Sequence, residues 1–224
     1  MKIAVYTLTR DRLDYTKHCF ASLKEKAWGY PFDHFVLDNG SQDGTPEWLR
    51  EEYKPHFLHR SDTNVGISRA SNFLLYKISK GNYDLIIKMD NDCEVVSDNI
   101  LQQMVEIFTD AKKPVVLSPR VVGINRQPTR VGHSIIGGRD IGWTSIVGGL
   151  FHVVPSKVYR EYAYPTNLPP AWGQDDDFCR WANSRGIRTG YVEGLVVNHY
   201  ETTNGQAERY PEYFERKKRE ESKL

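Results

Sequence analysis

The chain has 224 residues and is nearly neutral, with 30 Lys+Arg against 29 Asp+Glu. That length allows one large domain or two small ones, and the charge balance removes any whole-chain argument for nucleic-acid binding, leaving only local basic patches. Its three cysteines, Cys19, Cys93 and Cys179, form no CxxC pair, which argues against a zinc site or disulfide framework and for a reducing compartment.

Lys2-Ile3-Ala4-Val5-Tyr6 leads straight into a strand over Ile3–Leu8, so no signal peptide is expected. No stretch approaches the roughly 20 apolar residues that cross a bilayer, so no transmembrane segment is expected either. The resulting expectation is a cytoplasmic protein. Residues 13–26 place Leu13, Cys19, Phe20 and Leu23 at helical spacing. Phe35-Val36-Leu37 reads as a second strand ending at Asp38. Thr45-Pro46-Glu47 reads as a helix start, with Thr as N-cap, Pro in the first turn and an acid near the positive helix end. Phe57-Leu58-His59 is a third strand, residues 65–78 a helix with Ala70, Phe73, Leu74 and Ile78 on one face, and residues 83–89 a fourth, buried strand. Ser97 or Asp98 caps the next helix, which turns Ile100, Leu101, Met104, Val105 and Phe108 inward, and Pro114–Leu117 is a fifth strand.

Strand and helix alternating this often imply an α/β fold with a largely parallel sheet. Ligands of such sheets bind beyond the carboxyl ends of the strands, which gathers Thr7–Arg10, Asp38–Gly44 and Asp90–Asp92 at one edge. The second half is less regular. Residues 121–141 read as a loop or irregular hairpin, residues 145–154 as a strand broken by Gly148-Gly149, residues 165–170 as a loop, residues 175–184 as a helix ended by Gly186, residues 189–197 as strand, and residues 208–221 as a charged helix or tail.

The polar clusters carry the chemistry. Asp90 and Asp92 stand one residue apart at a strand end, and like charges that close call for a counter-cation. A hard divalent cation with oxygen ligands suits them and brings phosphates with it; a solvated turn is the plainer alternative, and Lys88 and Glu94 flank the pair. Asp38 is either a turn former or an acceptor for a nucleobase or ribose. Asn64 caps a helix, Gly66 permits close approach of a ligand, and Arg69 could meet a diphosphate. Asp175, Asp176 and Asp177 sit at a helix start. One or two acids satisfy the helix dipole, and a third points to a carboxylate working as general base. His199 gains meaning beside a metal.

In this order the segments YTLTRDRLDYTKHCFASL, VLDNGSQDGTPEWL, NVGISRASNFLL, IIKMDNDCEV, GGLFHVVP, WGQDDDFCRWANSRG and the closing His199 with YFERKK resemble the family 2 inverting glycosyltransferases of GT-A fold, over nearly the whole chain. The resemblance implies a single domain over 1–224, with a nucleotide-sugar half at 1–118 and an acceptor and catalytic-base half at 119–224. It implies Thr7 and Asp38 at the nucleoside, Asp90 and Asp92 on a divalent metal (Mn2+ or Mg2+), and His199 joining the metal or phosphate. Gly148 and Gly149 would line the donor sugar, and Arg10, Asn64, Gly66 and Arg69 complete the expected donor side. Asp175 is the implied base and Asp177 the runner-up; Gln174 stands where the family usually has Glu. The donor is expected to be a nucleoside diphosphate sugar, UDP-linked by family habit.

The expected acceptor is a hydroxyl of a glycan or lipid-linked glycan, with rhamnosyltransferase-like enzymes the nearest in character. The alternative is a modified base of DNA, as for a viral enzyme. Arg216-Lys217-Lys218-Arg219 could touch an anionic leaflet, making the protein peripheral to a membrane, or a nucleic-acid backbone, or be a solvated helix end. Arg120, Arg126, Arg130 and Arg139 form a second basic group. A sugar-nucleotide nucleotidyltransferase would need a glycine-rich loop after the first strand, and Thr7–Asp11 contains no glycine.

Overall fold

The computed structural model describes residues 1–124, 129–169, 173–200 and 203–221. Its first half alternates strand and helix: β1 (Ile3–Thr9), α1 (Leu13–Lys26), β2 (Phe32–Asn39), α2 (Thr45–Trp48), β3 (Phe57–Ser61), α3 (Ile67–Ile78) and β4 (Leu85–Met89). β1 and β4 are apolar and buried along almost their whole length, as strands covered on both faces must be. On α1 the buried residues Tyr15, Thr16, Cys19, Phe20 and Leu23 recur at helical spacing and face the sheet. Three caps differ from expectation, the first at α3, where Gly66 stands at the N-cap in place of Asn64 and no side chain caps the helix. Gly44 caps α2, with Thr45 already inside the helix and Pro46 beside it. Asn99, in the left-handed region, precedes α4 (Ile100–Asp110) in place of Ser97 or Asp98.

β5 (Cys93–Val95), β6 (Val115–Val122), β7 (Gly132–Ile136), β8 (Arg139–Thr144), β9 (Phe151–Pro155) and β10 (Arg188–His199) extend the same sheet, with α5 (Ser156–Tyr159) and α6 (Gln174–Ser184) between the last two. The expected irregular segment thus contains a regular hairpin, β7 against β8, turned by Gly137 and Gly138 at φ 57° and 73°. The chain closes with α7 (Thr203–Arg209) and α8 (Pro211–Glu221), where a single tail helix was expected; Pro211 has no amide hydrogen to continue the helical ladder.

The strand order is β3-β2-β1-β4-β9-β6-β10-β8-β7, with β5 paired to β10. β3, β2, β1 and β4 are mutually parallel, β9 runs antiparallel between β4 and β6, and β10 is parallel to β6. These directions decide where the chemistry collects. β1, β2, β4 and β10 all end at one edge of the sheet, and β9 begins there. β5 pairs Cys93 with His199, so the segment after β4 and the end of β10 meet. Part of the core centres on Phe178, fully buried among Tyr159, Tyr162, Tyr164 and Trp181. Among the described residues no helix is long and apolar enough to cross a membrane.

His34 lies in β2 beneath α1, its ring nitrogens 3.0 Å from Thr7 Oγ1 and 2.7 Å from the Tyr53 hydroxyl. Burial, with some help from Lys24, pushes its pKa down to about 3. The unfolded imidazole titrates near ~6.5, so the stability His34 confers is present above that pH and is lost as pH falls toward 3. Between pH 7 and 5.5, His34 should cost the fold on the order of 1 kcal/mol. Urea denaturation at the two values should show His34→Gln losing that share of the pH dependence; an unchanged dependence would count against a neutral buried imidazole.

Candidate active site

The converging strand ends enclose a cleft of about 420 Å³, lined by Leu8 and Thr9 at the end of β1, Arg10 and Arg12 after it, Asn39 and Asn64 beside them, and Lys88, Asp90, Asn91 and Asp92 on its floor. Gln174, Asp175 and Asp176 of α6 form the facing wall, and His199, Gln206, Tyr213, Phe214 and Lys217 close the C-terminal side. The two carboxylates of Asp90-Asn91-Asp92 do find cations, and the protein supplies both. Lys88 Nζ lies 2.8 Å from Asp90 Oδ1, and Arg12 Nη1 lies 3.3 Å from Asp92 Oδ2.

Lys88 is the centre of the first group. Its side chain is 5% exposed, and its ammonium also donates to the Gly149 carbonyl at 2.7 Å and sits 3.7 Å from Asp175 Oδ1. Burial alone would lower the Lys88 pKa, but Asp175 and Asp90 outweigh it and hold the ammonium charged. Asp175 is steadied on its other oxygen, where Oδ2 accepts the Gly149 N–H at 2.9 Å. Burial would raise its carboxyl pKa; Lys88 and His152 outweigh that, and Asp175 stays ionised below the ordinary range. Its Oδ1 makes no hydrogen bond among the described residues. Asp90 moves the other way: burial raises it, Lys88 pulls it back, and the like charges of Asp92 and Asp175 leave it above the ordinary range. Nearly half of the Asp90 side chain faces the cleft, so solvent tempers that shift.

Arg12 is the centre of the second group. It also donates to Asn91 Oδ1 at 3.1 Å and to Gln206 Oε1, and the Tyr213 ring lies 4.9 Å from its guanidinium carbon. Gln206 Nε2 reaches Asp92 Oδ2 at 3.2 Å, and His199 Nε2 lies 3.7 Å from the same oxygen. Burial would raise the Asp92 pKa, but Arg12 and His199 bring it below the ordinary range. Asp11 and Arg12 both adopt left-handed backbone, φ 49° and 56°, which costs a non-glycine residue on the order of 1–3 kcal/mol. Ser41 Oγ holds the Asp11 amide, Asp11 accepts from the Gln42 amide, and Arg216 of α8 pairs with Asp11.

The expected residues distribute unevenly. Asp90, Asp92, Asp175, His199, Arg10 and Asn64 line the cleft. Thr7 sits two residues back inside the sheet, bonded to His34, and it is Thr9 at the strand end that donates to Asp38 at 3.0 Å. Asp38 is fully buried, accepts from Thr9 and from both the amide and the hydroxyl of Ser41, and is raised in pKa by burial. It shapes the loop, and its neighbour Asn39 reaches the cleft. Asn39 and Asn64 clasp each other at 2.8 Å, with Asn64 Oδ1 also accepting the Gly66 amide. Gly66, at φ 81°, starts α3, while Arg69 points to solvent away from the cleft lining. Gly148 donates to the Tyr191 hydroxyl at 3.0 Å, and Gly149 to Asp175. Asp177 bonds the Tyr162 hydroxyl at 2.7 Å outside the cleft lining, because successive helical residues turn by about 100°. Gln174 is buried and donates to the Pro169 carbonyl at 2.7 Å. Trp172 and Arg126 lie outside the described residues.

The basic groups are largely spoken for. Arg120 lies 3.6 Å from Glu193, Arg130 is 3.0 Å from Asp140, and Arg139 bonds Gln103. Arg216 is turned onto Asp11 and Gln42, and Lys217 faces the cleft. Sequence reasoning missed Arg12, Asn39, Gln206 and Tyr213 as cleft residues. Arg12 and Asn39, each at or just after a strand end, carried a local signal, and Gln206 and Tyr213 carried none.

The family model described as Glycosyl transferase family 2 matches residues 4–179. The chain belongs to glycosyl transferase family 2. Similar solved structures share the GT-A architecture expected for that family. S. aureus TarS 1–349 in complex with UDP superposes with a TM-score of 0.67 at 16% identity, over 88% of this chain and 60% of that one. Mannosyltransferase PcManGT from Pyrobaculum calidifontis, in complex with GDP-Man and Mn2+, gives 0.68 at 15%, over 91% and 58%. GalNAc-T7 with UDP, GalNAc and Mn2+ gives 0.67 at 12%, over 91% and 44%. The family 2 chain therefore spans at most about 60% of the length of these structures. No curated protein sequence matches it.

The glycine at 149 is a packing requirement of the Lys88–Asp175 pair. A Cβ there would lie 2.2 and 2.3 Å from the Asp175 oxygens and 2.4 Å from Lys88 Nζ, whereas one at Gly148 meets nothing nearer than 4.0 Å. Gly149→Ala should destabilise the fold by roughly 1–3 kcal/mol, and Gly148→Ala far less, by urea denaturation. Equal costs would sink the assignment.

Proposed function

We propose that this family 2 chain transfers a glycosyl group from a nucleoside diphosphate sugar to an acceptor hydroxyl, inverting the anomeric carbon, with Asp175 as the general base. One observation carries the reading: an ionised carboxylate, fixed on one oxygen by the Gly149 amide and bare of hydrogen bonds on the other, shares a cleft with the Asp90-Asn91-Asp92 segment. Oδ1, buried and 3.7 Å from the Lys88 ammonium, would take the proton of an acceptor hydroxyl that comes into its reach as that hydroxyl attacks the anomeric carbon. Gly149 and Lys88 keep the carboxylate aimed and charged. Arg10, Arg12 and Lys217 supply positive charge to the side of the cleft where a diphosphate leaving group would sit.

A divalent metal here would take two protein donors. Among the described residues no three His, Cys, Asp or Glu side chains gather around one point, but Asp92 and His199 approach within 3.7 Å, and Mg2+-like ions commonly take one or two protein ligands with the rest from phosphate and water. Asp92 and His199 would hold it, and Asp90 stays with Lys88. When bound, the metal offsets the charge developing on the departing diphosphate. The nucleobase and sugar follow from binding; the solved relatives carry UDP, UDP-GlcNAc and GDP-Man.

Asp175→Asn should lower the transfer rate by about 10²–10⁴-fold, with calorimetric donor affinity close to wild type; wild-type turnover in that variant would refute the base assignment. In a thermal-shift panel of UDP- and GDP-sugars, one donor should stabilise the protein, and Mn2+ should enlarge the shift. A panel in which no donor stabilises it, with or without metal, would count against nucleotide-sugar binding.

A further inference from the structure

We infer that Arg12 is the resident counter-ion of Asp92, that it must leave this carboxylate before a divalent cation can bind there, and that the donor diphosphate is the group that receives it. The inference rests on the donor and metal reading above. Asp92 Oδ2 is already crowded: Arg12 Nη1 stands at 3.3 Å, Gln206 Nε2 at 3.2 Å and His199 Nε2 at 3.7 Å. A metal shared by Asp92 and His199 needs that oxygen, and two cations within contact distance of one carboxylate oxygen repel strongly in a partly desolvated site. The side chains of Arg12 and Asp92 are only 9% and 14% exposed, so water screens that repulsion poorly.

Arg12 is built to move without the sheet moving. It belongs to the loop after β1, its remaining described partners are the neutral amides of Asn91 and Gln206 and the rings of Tyr15 and Tyr213, and its planar fork suits a diphosphate better than a lone carboxylate oxygen. Lys88 differs on each count, being held in β4 by a carbonyl and two carboxylates. An anion that draws Arg12 away empties Asp92 for the metal, and a metal on Asp92 frees Arg12 for the anion. The two ligands therefore assist each other, reciprocally. Gln206 bonds both Arg12 and Asp92, so the exchange also reaches α7.

Two binding measurements with opposite expected signs test this. Free Mn2+ is titrated by electron paramagnetic resonance against the full chain without nucleotide. Arg12→Gln should bind Mn2+ about tenfold or more tighter than wild type, Arg12→Lys should stay within about threefold of wild type because the charge remains, and Asp92→Asn added to Arg12→Gln should erase the gain. UDP and GDP are then titrated calorimetrically in EDTA, and whichever binds wild type should bind Arg12→Gln about tenfold more weakly. A merely structural Arg12 would weaken both ligands; that result, unchanged Mn2+ affinity, or a gain that survives loss of Asp92 overturns the inference. If neither nucleotide binds wild type, the diphosphate half falls with the donor reading, and the Mn2+ comparison still decides the counter-ion half. Circular dichroism melting confirms that each variant is folded.

Discussion

An ammonium group held between two carboxylates sets the terms for the rest of this cleft. The sheet topology brings the carboxyl ends of β1, β2, β4 and β10 to one edge, so Asp90, Asp92 and Asp175 arrive close together whatever their local preferences. Lys88 answers that crowding from within the sheet. Its apolar stem runs in the buried strand β4, and only the ammonium emerges, between Asp90 and Asp175. Buried ion pairs add little net stability when complete, yet leave a costly unpaired charge when broken. The arrangement therefore fixes geometry more than it adds stability, and Gly149 is the place where the backbone had to give up a side chain to accommodate it.

The two halves of the Asp-Asn-Asp segment are handled differently. Asp90 is tied to the sheet through Lys88. Asp92 is tied to a loop through Arg12 and to the C-terminal helices through Gln206. The loop is left-handed at two successive non-glycine residues and is held there by Ser41, Gln42 and Arg216. Strain of this kind persists where the surroundings over-determine it, and here it aims one guanidinium at one carboxylate. The Asp175 side of the cleft is thus held within the sheet and α6, and the Asp92 side is assembled from parts that lie far apart in sequence.

How much of this was legible follows from how local each feature is. β1, β4 and α1 were plain, because unbroken apolar runs and helical spacing leave few alternatives. β5 was invisible at three residues, since it exists only by pairing with β10. The β7–β8 hairpin hid behind glycines that its turn requires. The charge problem at Asp90 and Asp92 was readable, but its solution was not. Arg12 lies 80 residues from Asp92, and nothing about Lys88 as a flanking residue showed that it would also reach Asp175. Thr7 and Thr9 share a strand and a residue type, and only the position of the strand end chose Thr9 as partner for Asp38. Among three adjacent acids, helix geometry placed Asp175 toward Gly149 and Asp177 toward Tyr162, a distinction that composition cannot make.

The same reasoning bears on the acceptor. Binding a polyanion depends on cations free to replace condensed counter-ions along its backbone. Arg120 and Arg130 face Glu193 and Asp140, Arg139 is bonded to Gln103, and Arg216 is turned onto Asp11. Each already faces an internal partner and would exchange that contact for a phosphate. Lys217 lies in the wall of the cleft, where a diphosphate rather than an extended backbone is within reach. Beside Asp175 the charge is mixed, with the Lys88 ammonium 3.7 Å from its Oδ1 and exposed Asp176 next to it in the chain.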